Sequence, residues 1–105
     1  MSSTDIRDDK DNLKDLSPQK LGFIRNNWKY AKDGLDNTHR NYARTEHIYT
    51  NIPDADIDIR TLGQTVEILS NLGIIEIEFK TSNTVLYNMK SYEEQKFEPI
   101  IELFE

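Results

Sequence analysis

The segment "DIRTLGQTVEILSNLGIIEIEFKTSNTVLYNM", residues 58–89, changes its hydrophobic period partway along. In its first half apolar residues recur every three to four positions, which is the spacing of an amphipathic helix. In its second half apolar and polar residues alternate, which is the spacing of a strand with one buried face. The segment therefore predicts a helix that passes almost directly into a short hairpin, and few small folds accommodate that junction.

The helical half is predicted to run over Ile59–Leu72, with Asp58 as its N-cap and Gly73 as its end. The residues predicted to form its buried stripe are Ile59, Leu62, Val66, Leu69 and Leu72. At about 100° per residue, the residues predicted on the opposite face are Arg60, Gln64 and Asn71, with Glu67 among them. This polar face is the first candidate for a binding surface.

The strand half contains two runs, 74–80 ("IIEIEFK") and 84–90 ("TVLYNMK"), joined by "TSN" at 81–83. A connection of this length and composition predicts a hairpin. By strict alternation, the residues predicted to face the core are Ile75, Ile77 and Phe79, and those predicted to face solvent are Glu76 and Glu78.

An earlier helix is predicted from residue 17 onward, because Ser17 suits the N-cap and Pro18 suits the first helical position. Its predicted buried stripe is Leu21, Ile24, Trp28, Ala31 and Leu35. Gly34 is predicted to end the helix in a left-handed conformation. Phe23 and Tyr30 lie almost opposite the stripe, and two interpretations stay open for them: packing by the chain's own tail, or a dimer contact.

A short helix is predicted over Glu46–Asn51, with Thr45 as its cap and Pro53 ending it. Its buried residues would be Ile48 and Ile52. The preceding segment "HRNYAR", residues 39–44, fits either a loop or a helical turn.

The two ends of the chain carry most of its acid. Residues 1–16 hold five Asp and three basic residues, a net charge of −2, and residues 91–105 hold five Glu and one Lys, a net charge of −4. Since the whole chain has a net charge of −6, residues 17–90 are neutral, and charge does not exclude DNA binding. Residues 1–16 are predicted to form a disordered arm, or a helix that folds on a partner. Residues 91–105 are predicted to be helical around Pro99 and to serve in dimerisation.

Several classes of function are disfavoured by what the sequence lacks. It has no cysteine, which excludes disulfides, thiol catalysis and a Cys-type zinc site and suits a reducing cytoplasm. His39 and His47 have no matched carboxylate pattern, so neither a metal site nor a cofactor is predicted. No apolar leader and no run of about 18 apolar residues is present, so neither a signal peptide nor a membrane span is expected. No glycine-rich phosphate loop or nucleophile–base pattern supports an enzyme.

The order helix, short helix, turn, helix and hairpin resembles the winged helix-turn-helix superfamily. The likeness is carried by "TEHIYTNIPDADIDIRTLGQTVEILSNLGIIE", residues 45–76, with its short helix, turn, R-T-L opening and L-x-x-L-G-I-I close. The resemblance covers residues 17–90. It implies an α+β, mainly α fold with a three-helix core and a two-stranded β-hairpin wing. The arm and the C-terminal helix predicted within residues 91–105 lie outside the resemblance.

The resemblance also implies double-stranded DNA as the partner. Helix 59–72 would lie in the major groove, and the wing at 80–83 would contact the backbone. Arg60 could pair with guanine and Gln64 with adenine. The residues expected to touch DNA are Arg60, Thr61, Gln64 and Thr65 on the helix, Arg40 and Arg44 before the short helix, and Lys80, Ser82 and Asn83 on the wing.

The sequence thus predicts a sequence-specific DNA-binding protein, a cytoplasmic transcription regulator. A homodimer is expected, because one neutral module with few phosphate contacts would bind weakly. The residues expected at the dimer interface are Phe23, Tyr30, Tyr92, Phe97, Ile100, Ile101 and Phe104. The alternative is a winged-helix adaptor that binds a protein partner instead of DNA. It is favoured by the acidic balance of the chain and by an exposed apolar tail.

Overall fold

The computed structural model describes residues 13–54 and 56–105. Its helices are α1 (Pro18–Asp36), α2 (Thr45–Thr50), α3 (Ile59–Asn71) and α4 (Glu98–Phe104), and its strands are β1 (Tyr42–Arg44), β2 (Glu76–Lys80) and β3 (Val85–Asn88). Short 3₁₀ helices cover Leu13–Asp15 and Glu94–Phe97. The strands form one antiparallel sheet in the order β1-β3-β2. The predicted α+β, mainly α class is confirmed, and none of the described helices is long and apolar enough to span a membrane.

Helix α1 forms where its sequence signals predict it. The hydroxyl of Ser17 accepts a hydrogen bond from the backbone N–H of Lys20 at 3.2 Å, and Pro18 occupies the first turn, where its missing N–H has no cost. Of the predicted stripe, the fully or almost fully buried residues are Ile24, Trp28, Ala31 and Leu35. This stripe is the side of α1 that packs against α3.

Gly34 does not end α1, contrary to the prediction. The helix continues to Asp36 and ends at Asn37, whose φ of −95° is ordinary. Gly34 instead marks the place where α2 touches α1, because a Cβ there would lie 2.6 Å from Cγ2 of Ile48 and 2.9 Å from its carbonyl oxygen. Glycine is needed at this position for close approach and not for a left-handed turn.

Residues 39–44, whose sequence fits a loop or a helical turn, contain the strand β1 instead. In β1, Tyr42 pairs with Asn88 and Ala43 pairs with Tyr87. Three residues are too few for a strand period to be visible in the sequence. Helix α2 then begins one residue earlier than predicted, so Thr45 is not its cap. The cap contact comes from His47, whose Nδ1 accepts the backbone N–H of Arg44 at 3.0 Å.

Helix α3 has a wider buried face than predicted. Leu62, Val66 and Leu69 are fully buried, as expected, and Thr65 and Ile68 are buried beside them. Ile59 was predicted to be in the stripe but is 45% exposed, and Ile57 enters the core just before the helix begins. Leu72 is half-buried as the C-cap residue, and Gly73 follows with a φ of 84°. The prediction that the helix ends at Gly73 is confirmed, and the ending is left-handed.

A β-bulge in β2 overturns one part of the predicted alternation. Ile77 pairs with Tyr87, but the next register pair is Phe79 with Leu86, so Glu78 is the extra residue of β2. The residues beyond the bulge therefore change sides. Phe79, predicted to face the core, is 56% exposed.

The C-terminal segment packs on its own chain. The ring of Phe97 lies 6.4 Å from the rings of both Trp28 and Tyr92, and the hydroxyl of Tyr92 donates to Oδ1 of Asp36 at 2.5 Å. Phe97 and Ile100 are almost fully buried, so their assignment to a dimer interface is wrong. The other residues assigned to that interface, which are half-buried against the core, are Phe23, Tyr30, Tyr92, Ile101 and Phe104.

The predicted disordered arm needs a corrected boundary. Leu13–Asp15 forms a 3₁₀ helix, and Leu13 and Leu16 pack against the core. Partial burial of these two apolar side chains against the core explains why residues 13–16 belong to the domain. The rest of the predicted arm, residues 1–12, lies outside the described residues.

The contact at Gly34 can be tested by Gly34→Ala, with Gly22→Ala in the same helix as the matched control. At Gly34 the new methyl group would push α2 away from α1, and we expect a loss of about 1–3 kcal/mol in the free energy of unfolding. At Gly22 a Cβ meets nothing within 4 Å, so the better helix propensity of alanine should stabilise the protein by about 0.5–1 kcal/mol. Urea denaturation followed by circular dichroism measures both. Equal effects at the two sites would contradict the proposed close contact.

Candidate nucleic-acid interface

The outward face of α3 is the candidate site. Arg60 and Gln64 are exposed and lie one helical turn apart, and Thr61 between them is half-buried. Burial of the opposite side of α3 fixes the rotation of the helix, so these polar side chains project away from the core. Asn71 extends the same exposed face toward the end of the helix.

The N-terminus of α3 is closed by Asp58. Its Oδ1 accepts the backbone N–H of Thr61 at 2.7 Å, as predicted for an N-cap. Hydrogen bonding from Thr61, first through its backbone and then through its side chain, lowers the pKa of Asp58, and the charge of Arg60 contributes a smaller lowering. The cap also places a carboxylate next to Arg60, at the end of the helix that would enter a groove.

Thr65 is not part of this surface, so its assignment as a DNA contact is wrong. The side chain is fully buried, and its hydroxyl donates to the carbonyl oxygen of Thr61 at 2.8 Å. A threonine can pack among apolar residues when its hydroxyl is satisfied by the preceding turn of its own helix.

The tip of the hairpin is ordered by Thr81. Its Oγ1 accepts the backbone N–H groups of Asn83 at 3.2 Å and Thr84 at 3.1 Å. Ser82 and Asn83 are exposed at the tip, as a phosphate contact would require. Lys80, at the end of β2, is exposed too, and its Nζ lies 3.5 Å from Oε2 of Glu67 on α3.

Arg40 and Arg44 are exposed but are not gathered with Lys80. Arg40 donates through Nε to the carbonyl oxygen of Tyr42 at 3.1 Å. Arg44 is paired with Leu86, on the face of the sheet opposite to that of the buried Ala43. Tyr42 lies on the same outer face, and the Nζ of Lys90 lies over its ring, 5.0 Å from the ring centroid. The basic residues predicted to touch DNA are therefore divided: Arg44 lies on the outer face of the sheet, and Lys80 lies on the side of α3.

Lys20 is a basic residue near α3 that the sequence did not indicate. It lines a groove of about 340 Å³ between the start of α1 and the outward face of α3. The groove is lined by Ser17, Gln19, Lys20, Phe23, Gln64, Glu67, Ile68 and Asn71. No local pattern could reveal this, because 44 positions separate Lys20 from Gln64.

The local charge of the site is balanced. Helix α3 contains one basic residue, Arg60, and one acidic residue, Glu67. On the hairpin, Glu78 accepts a hydrogen bond from Nδ2 of Asn88 at 3.3 Å. Within residues 13–54 and 56–105, no three His, Cys, Asp or Glu side chains are grouped so as to hold a metal ion.

No protein-family model, curated protein or solved structure significantly matches this chain. Function therefore has to be inferred from the contacts and charges of its own residues.

The cap at Asp58 predicts a pH-dependent contribution to stability. Because the pKa of Asp58 is lowered from its usual 3.8 on folding, the ionised cap stabilises the protein above that value. The contribution is lost as the pH falls through the lowered pKa. Asp58→Ala should therefore lower the melting temperature at neutral pH, and its difference from the wild type should narrow below about pH 4.

Asp56→Ala is the matched control, since it removes a carboxylate from the same loop and leaves the cap of α3 in place. Thermal denaturation between about pH 2 and 7 gives the comparison. The charged cap would contribute nothing to stability if Asp58→Ala lowered the melting temperature equally at every pH. The same conclusion would follow if Asp58→Ala and Asp56→Ala lowered it by the same amount.

Proposed function

We propose that this protein is a sequence-specific DNA-binding protein of the winged helix-turn-helix kind and that it acts as a transcription regulator. The element order α1-β1-α2-α3-β2-β3 is compatible with that fold. In this proposal α3 enters the major groove and the tip of the hairpin contacts the phosphate backbone.

The observation that carries the proposal is the rigid, outward placement of Arg60 and Gln64. Both side chains are exposed on the first half of a helix whose other side is fully buried against α1 and α2. An arginine can make two hydrogen bonds to guanine, and a glutamine can make two to adenine. Pairing of this kind needs a helix that cannot rotate, and the buried stripe provides one.

Phosphate contacts have to come from around α3, because the helix itself is neutral. Lys20 flanks Gln64 across the groove, and Lys80 lies at the base of the wing. So few contacts give weak binding, and two copies on two half-sites would multiply the effective affinity. Phe23 borders the reading face, so a dimer contact there would compete with DNA. Helix α4 supplies the better dimer surface, because Leu103 is 53% exposed and Ile101 and Phe104 are half-buried.

A second candidate function is a protein-binding adaptor. It is favoured by an apolar groove of about 460 Å³ along α4, and by the net charge of −6. The residues lining the groove are Leu13, Lys14, Leu72, Ile74, Lys96, Pro99, Ile100 and Leu103. Recovery of one stoichiometric protein partner, with no DNA affinity in the same preparation, would favour this function.

The test of DNA binding begins with selection from random duplexes, followed by fluorescence anisotropy titrations at several salt concentrations. Arg60→Ala should weaken binding to the selected duplex by about 1–3 kcal/mol, and Gln64→Ala should relax the preference at one base. Arg25→Ala, on the exposed surface of α1, removes the same charge and should leave affinity nearly unchanged.

Two results would overturn the proposal. One is an affinity that does not fall with rising salt, since phosphate neutralisation requires a fall. The other is an Arg60→Ala variant that binds as Arg25→Ala does. Light scattering with and without the selected duplex tests the expected homodimer.

A further inference from the structure

The β-bulge at Glu78 directs Lys80 toward α3. Paired residues of an antiparallel sheet point to the same face, and Tyr87, paired with Ile77 and Ala43, is fully buried on the core side. Val85 lies two residues from Tyr87 and therefore shares that side, and Lys80 is the partner of Val85. Without the extra residue, Lys80 would project from the outer face of the sheet.

On the side of the sheet that faces α3, Lys80 meets Glu67. Its Nζ lies 3.5 Å from Oε2 of Glu67, with the two side chains 55% and 38% exposed. Glu67 also lies near the buried hydroxyl of Tyr87, whose pKa is raised by burial and, to a smaller extent, by the charge of Glu67. An ion pair this exposed is weak, so a competing partner can separate it.

Glu67 also belongs to the proposed DNA-reading face. It lines the same groove as Gln64 and Asn71, at the edge of α3 nearest the hairpin. A carboxylate at this place repels phosphates, but it can accept a hydrogen bond from the N4 amino group of a cytosine. The same ion pair thus involves a side chain able to read a base and a lysine able to bind the backbone.

We propose that the Glu67–Lys80 ion pair is a specificity gate for duplex DNA, an inference that rests on the function proposed above. On non-specific DNA, Glu67 keeps Lys80 from a phosphate and repels the backbone. At a site that offers Glu67 a cytosine amino group, the carboxylate exchanges partners and Lys80 binds a phosphate. The gate lowers affinity for wrong sequences more than for the right one.

The experiment compares the wild type with Glu67→Gln, Lys80→Gln and the double variant, on a selected duplex and on a scrambled one. Asp33→Asn, at an exposed position of α1, is the control for the change in net charge. Glu67→Gln should bind the scrambled duplex about two- to fivefold more tightly. Its salt dependence, log K against log salt, should steepen by about 0.9 as Lys80 gains a phosphate.

The double variant should lose that gain, because the released lysine is gone, and Lys80→Gln should weaken binding to the selected duplex. Thermal denaturation of each variant checks that it is folded.

The outcomes separate the gate from the function on which it rests. If the wild type binds DNA through Arg60 but Glu67→Gln behaves as Asp33→Asn does, the gate is wrong and the proposed function stands. If neither the wild type nor any variant binds DNA in a salt-dependent way, both are wrong.

Discussion

Burial of the apolar side of α3 against α1 and α2 is the constraint on which the rest of the structure depends. Leu62, Val66 and Leu69 are fully buried, and each buried aliphatic side chain stabilises the fold by about 1.5–3 kcal/mol. A surface ion pair such as Glu67–Lys80 contributes about 0–1 kcal/mol. The core therefore sets the rotation of α3, and the polar contacts on its outer face only adjust side chains on a helix already in place.

The sheet connects this core to the candidate site. Tyr87 occupies the centre of β3, fully buried and paired with Ala43 on one side and Ile77 on the other. The bulge that follows Ile77 then changes which residues face α3, so an apolar side chain becomes exposed and a lysine turns toward the helix. A single extra residue in β2 thus decides which charge stands beside the proposed reading face.

The distribution of charge bears on the proposed function more than its sum does. Helix α3 is neutral, and the whole net negative charge of the chain belongs to residues 1–16 and 91–105. Base reading requires few charges, but affinity for a phosphate backbone requires several. In the proposed complex, basic residues on elements other than α3, such as Lys20, would have to provide the affinity for the phosphate backbone.

Local information in the sequence was enough to predict α1, α3 and the hairpin, together with the caps at Ser17 and Asp58 and the turn at Gly73. These features depend on residues within about four positions of one another, which a single sequence displays. Other features were decided only by the tertiary structure. They are the strand β1, the close approach of α2 to Gly34, and the burial of Thr65, Phe97 and Ile100. Each of these depends on a partner from a distant part of the chain or on the width of the packed face, and hydrophobic periodicity records neither.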